Sequence, residues 1–135
     1  MNAQFSRVHW GRVLLISVLL DILIFILNLV LSFFFFAFLN WDRLNPHISI
    51  QAFSLITTVL VVLLTVYCAF RVARKVESAA PLHGFLVGLI AALILFLVGL
   101  IFTGGFDLVA IIPYMLMVAA GWLGGVLGRR RRERV

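Results

Sequence analysis

VLLISVLLDILIFILNLVLSFFFFAFL, residues 13–39, holds a single formally charged side chain, Asp21. Its other polar groups are Ser17, Asn28 and Ser32. At 100° per residue the offsets 17, 21, 28 and 32 fall within about 60° of arc, so the polar groups form one stripe on a helix. At about 1.5 Å per residue the run reaches about 40 Å, more than the ~30 Å hydrocarbon layer of a bilayer. The stretch therefore reads as a membrane-crossing helix with one polar side, and the remaining apolar runs supply something for that side to face.

Composition points the same way. Hydrophobic residues make up 64% of the chain, charged residues 12%, and the mean hydropathy is +1.21. Soluble domains carry about 25% charged residues, and this chain has too little polar surface to coat a water-soluble globule. The lone cysteine, Cys68, permits no intrachain disulfide and lies inside an apolar run, which suits a small buried hydrophobe better than a reactive thiol. The first apolar run is too long for the roughly 7–15-residue core of a signal peptide, and no small-x-small cleavage site follows it, so an uncleaved span is expected.

In chain order, the expected spans are about 13–39, 48–70, 82–103 and 108–127, within one membrane domain covering 1–135 and ending in a basic tail at 128–135. Trp10 and Trp41 bracket the first span as interfacial tryptophans do. Phe33 to Phe36 cover every side of the helix, as bulk apolar surface toward lipid and neighbouring helices. Asn45-Pro46 predicts a turn before the second span. That span has its own one-sided stripe of Ser54, Thr58, Thr65 and Cys68. Gly104 to Asp107 read as a tight turn, with Asp107 capping the fourth helix and Pro113 kinking it. The fold class expected is an all-α membrane protein, an antiparallel up-down bundle of four transmembrane helices joined by short loops.

Charge placement orients it. Of the eleven basic residues, Arg7, Arg12, Arg71, Arg74, Lys75 and the five tail arginines fall on one side, and Arg43 alone on the other. The positive-inside rule then puts both termini in the cytoplasm of a multi-pass inner (plasma) membrane protein.

Three motifs carry chemistry or packing. Gly84, Gly88 and Ala92 on the third span, and Gly121, Gly124, Gly125 and Gly128 on the fourth, are small residues at four-residue spacing that allow close backbone approach. They lie at matching depth, so the third and fourth helices are expected to touch there, and a homodimer seam is the competing use. Gly121 to Gly125 read as a phosphate loop fails, because no strand precedes it. Asp21 lies near the membrane midplane, where a carboxylate costs at least about 2.5 kcal/mol and marks a functional site by default. In the plainer reading it hydrogen-bonds a threonine or the backbone and ties helices together. In the sharper one it forms a proton- or cation-responsive site with Ser17, Asn28, Thr58 and Thr65. Arg71, Arg74 and Lys75, with Arg129, Arg130, Arg131 and Arg132, set topology and attract anionic lipid headgroups at about 1 kcal/mol per charge. Nucleic acid is not the expected partner of that tail. His9, His47 and His83 are scattered, so no metal site, cofactor or catalytic set is expected.

The segments Cys68-Ala-Phe-Arg-Val-Ala-Arg-Lys75, Leu82-His83-Gly84-Phe-Leu-Val-Gly88 and Ala120-Gly-Trp-Leu-Gly-Gly-Val-Leu-Gly128 resemble a family of small, uncharacterised bacterial four-helix membrane proteins. The resemblance implies a bacterial inner-membrane protein and no known activity. The architecture is also similar to the small multidrug-resistance transporters, with an acid in the first helix and glycines in the fourth. That resemblance implies proton coupling through Asp21, although the family's acid is a glutamate.

The function expected from sequence is a non-enzymatic structural, accessory or assembly role, in contact with lipid and with a second copy or another membrane protein. The alternative is a small proton- or cation-coupled transporter using Asp21. Impermeant-reagent labelling of terminal tags in sealed cells should leave both ends unmodified; labelling of either end overturns the orientation.

Overall fold

The computed structural model describes residues 10–38, 46–76, 80–103 and 111–132. These form four helices, α1 (Trp10–Phe38), α2 (Pro46–Arg74), α3 (Ala80–Thr103) and α4 (Ile111–Arg132), with no strand among the described residues. Each is long and apolar enough to cross a membrane. A lipid-embedded backbone must satisfy its own N–H and C=O groups, so even runs rich in branched residues, such as the second span, close into helices.

The helix ends differ from the expected spans in instructive ways. Pro46 opens α2 instead of lying in the preceding turn. Proline suits a first helical position, since its missing N–H has no intrahelical partner there. α2 continues to Arg74, with Arg71 and Arg74 in its last turn, where cations complement the negative end of the helix dipole. It closes with tighter bonds from Lys75 N–H to the Val72 carbonyl (3.0 Å) and from Val76 N–H to that of Ala73 (3.4 Å). α4 likewise runs through Arg132, so the first half of the basic tail is helical. Arginine is a good helix former and can hold its charge in water while its stem stays on an apolar surface. Pro113 is the third residue of the described α4. Of the turn expected at 41–47, residues 41–45 lie outside the described residues, as does the Asp107 cap.

Helices in lipid gain nothing from hiding apolar side chains from water, so they associate where their backbones fit together. α4 makes the most extensive contacts, with α3 and with α2, whereas α1 rests more lightly on α3 and α2. The glycines explain the difference. A Cβ placed on Gly84 would stand 2.5 Å from the Gly121 carbonyl oxygen and 2.7 Å from the Gly125 Cα, and one on Gly88 would stand 2.6 Å from the Met117 carbonyl oxygen. Higher numbers on α3 meet lower numbers on α4, so this pair runs in opposite directions.

A second seam faces another way. A Cβ on Gly124 would collide with the Val66 carbonyl oxygen and lie 2.8 Å from the Ala69 Cβ, and one on Gly128 would lie 2.6 Å from the Ala73 Cβ. Here the numbers rise together, and α2 runs parallel to α4. The sequence placed all four α4 glycines against the third helix. In the structure Gly121 and Gly125 face α3, while Gly124 and Gly128 face α2, because a three-residue step turns a helix by about 300° and so moves the side chain about 60° around it. Ala92 is buried in the core with Val87, Ala91 and Met117. α1 contributes Val13, Leu20 and Ile24 to that core, but Gly11 has nothing within 4 Å.

Much of the surface along the spans is apolar. Phe25, Phe33 and Phe34 on α1, Leu55 on α2 and Ile101 on α3 are widely exposed, as expected of side chains that face lipid. Phe35 packs edge-on against Phe53 of α2, with centroids 5.2 Å apart.

Substituting Gly124→Ala should lower the detergent unfolding midpoint by the equivalent of about 1–3 kcal/mol, the cost of overpacking a close contact. Gly121→Leu should cost far more, and Gly11→Leu should leave the midpoint unchanged.

A buried carboxylate and the grooves around it

The polar stripe of α1 faces the other helices for part of its length. Ser17 is fully buried and its hydroxyl donates to the Val13 carbonyl (2.9 Å), with the Val87 carbonyl of α3 also in reach at 3.3 Å. Its small side chain is what lets α1 approach α3. Asn28 is partly buried and its amide donates to the Ile24 carbonyl (2.9 Å). Ser32 is also partly buried.

Asp21 lies one turn beyond Ser17. It is 9% exposed, and neither carboxylate oxygen has a hydrogen-bond partner. Among the described residues it is the one acidic side chain. The tie to a threonine or to backbone expected from sequence is therefore not made. Two of the three threonine hydroxyls of α2 donate within their own helix, Thr65 to the Val61 carbonyl and Thr58 to that of Ser54, each at 2.8 Å. A hydroxyl in lipid finds a carbonyl four residues back without any help from a neighbouring helix. Of the five residues expected to form one polar site, Ser17, Asp21 and Thr65 are buried, Asn28 and Thr58 only partly so.

Toward the helix ends that lack the arginines, α2 and α4 part around a groove of about 850 Å³. Its floor is apolar, made by Ile24, Val61, Leu95 and Met117 from all four helices, and Gln51, Ser54, Thr57, Thr58 and Tyr114 add polar groups to its walls. Ile24 lies three residues from Asp21, about 4.5 Å along the axis, so one residue of the groove floor stands about one turn from the carboxylate.

Sequence reading gave no role to three residues that the structure buries or sets in the groove wall. Thr57 has a buried hydroxyl without a partner. Its neighbour Thr58 completes the four-residue spacing from Ser54 and so hid it. Tyr114 stacks edge-on with Phe96, centroids 5.6 Å apart, and its hydroxyl would lie 3.3 Å from a Cβ on Gly99, so the glycine makes room for it. The third is His83, fully buried beside Gly84 in the first turn of α3. Cys68 is partly buried against the core.

At the other end, Arg71, Arg74, Lys75, Arg129, Arg130 and Arg131 are exposed at the ends of α2 and α4, and Arg132 is the last residue of α4. No three His, Cys, Asp or Glu side chains gather to hold a metal among the described residues.

Neither the curated proteins nor the solved structures contain a match to this chain. A family of proteins of unknown function, DUF3792, matches over residues 10–128, from the first residue of α1 to within four residues of the end of α4. The fold described above, four apolar helices of which three are joined at glycine seams, is thus nearly coextensive with the matched region, and the chain belongs to the DUF3792 family.

Proposed function

We propose that this protein is a non-enzymatic multi-pass component of a bacterial inner membrane, acting through helix packing in a structural, accessory or assembly role. The observation that carries this reading is the pair of glycine seams. α2, α3 and α4 are held at backbone contact, which favours a rigid frame over a working chamber. α1 has no such seam and presents a broad apolar face on which a second copy or another membrane protein could dock. The four helices cross up and down with both termini in the cytoplasm, a topology supported by the one-sided arginines and by the opposed registers of α3 and α4.

One observation favours a second reading, a proton- or cation-coupled role for Asp21. Its carboxylate is buried with both oxygens unpartnered, and Ile24, about a turn away, lines a polar-walled groove. A buried polar group left without hydrogen bonds costs about 1–3 kcal/mol, a cost that packing alone gives no reason to retain.

The two readings separate on Asp21→Asn, which keeps the shape and removes the charge. Under the packing reading the variant should accumulate to wild-type levels, unfold at an equal or higher midpoint, and leave proteoliposomes as impermeable to protons and monovalent cations as the wild type. Flux through wild-type liposomes that vanishes in the variant would replace the packing reading with the second.

A further inference from the structure

Near the arginine-bearing ends, α2 and α4 enclose a second groove, of about 780 Å³. Leu63, Val66 and Leu127 give it an apolar wall, the rings of Tyr67 and Phe70 line it further along α2, and Arg130 and Arg131 close it at the α4 end. The two rings carry charge as well. The Arg71 guanidinium lies 5.6 Å from the centroid of Tyr67, and that of Arg74 lies 5.7 Å from the centroid of Phe70. Two guanidinium groups, those of Arg130 and Arg131, thus line the groove beside its apolar wall, and those of Arg71 and Arg74 lie over two of the rings that line it.

We infer that this groove is a binding site for one anionic glycerophospholipid, with the phosphate among Arg71, Arg74, Arg130 and Arg131 and an acyl chain along Leu63, Val66 and Leu127. The chemistry selects the occupant. The stretch from Leu63 to Phe70 is about 10 Å of helix, enough for the upper part of an acyl chain, so a soluble anion fills only half of the site. Guanidinium forks match phosphate oxygens, and a choline headgroup would place its cation among them. The sequence adds only Glu77 and Glu133 as acids near these helix ends, against Arg71, Arg74, Lys75, Arg129 to Arg132 and Arg134. This site goes beyond general attraction of a basic tail to a charged surface, because it demands a phosphate and a chain at once. It depends on residence in lipid but on neither reading of Asp21.

The test uses the full chain in neutral detergent, titrated with phosphatidylglycerol or phosphatidylcholine of matched chain length. Bound lipid is counted by native mass spectrometry and unfolding followed in parallel. One phosphatidylglycerol should bind at least tenfold more tightly than phosphatidylcholine and raise the unfolding temperature. The double variant Arg130→Gln/Arg131→Gln should bring the two lipids level, whereas Arg12→Gln on α1 should change nothing. If the double variant does not fold, Arg71→Gln, which removes the charge over Tyr67, should weaken phosphatidylglycerol alone. Leu127→Trp fills the groove without altering charge and should abolish the one-lipid complex. Equal binding of the two lipids would overturn the proposal, as would Arg12→Gln matching the groove variants or glycerol phosphate competing as well as the lipid. Extraction of membranes with alkaline carbonate tests residence in lipid separately, so its failure is distinguishable from failure of the site.

Discussion

Inside a bilayer, burying a leucine against another helix gains little over leaving it against a lipid tail. What distinguishes one arrangement of four greasy helices from another is how closely their backbones can approach, and here that is set by α4. Its two glycine ridges, Gly121/Gly125 and Gly124/Gly128, let α3 and α2 come so near that a single methyl group on any of them would strike backbone or side-chain atoms of the neighbour. Packing at such distances gathers dispersion contacts from backbone and side chain alike. The positions of the polar groups on α2, α3 and α4 then follow from where these two seams hold the helices.

α1 is held by different means. It reaches α3 through the small side chain of Ser17 and lays Val13, Leu20 and Ile24 on the core, without a glycine ridge of its own. The one described acid of the chain lies on this lighter interface, on the side turned inward. A charge or dipole at such a place bears more on how firmly α1 docks than on whether the other three helices assemble.

Much of this could be read in the sequence, for identifiable reasons. Four long apolar runs leave a bilayer no alternative to helices, and small residues repeated every fourth position announce close packing. What could not be read was direction around the helix axis. Gly121, Gly124, Gly125 and Gly128 look like one patch along the chain, yet they address two neighbours, because only tertiary structure says that α2 and α3 lie about 60° apart as seen from α4. The same limit affected the hydroxyls. Thr58 and Thr65 share a stripe, but their hydrogens go to their own backbone, and period alone cannot tell a helix-to-helix bond from a local one. Apolar runs do not mark helix ends either: α2 continues to Arg74 and α4 to Arg132, because charged residues extend a helix readily.

The dominance of α4 has a temporal side. Of the four helices it is made last, and α2 and α3 contact each other far less than either contacts α4. During synthesis the first three helices must therefore enter the bilayer as loosely associated segments, with Asp21 already in hydrocarbon and the surfaces meant for glycine still open to lipid. Assembly cannot be completed helix by helix: it waits for a keystone, and a ribosome that stalls before residue 121 would leave three inserted helices with nothing to lock them.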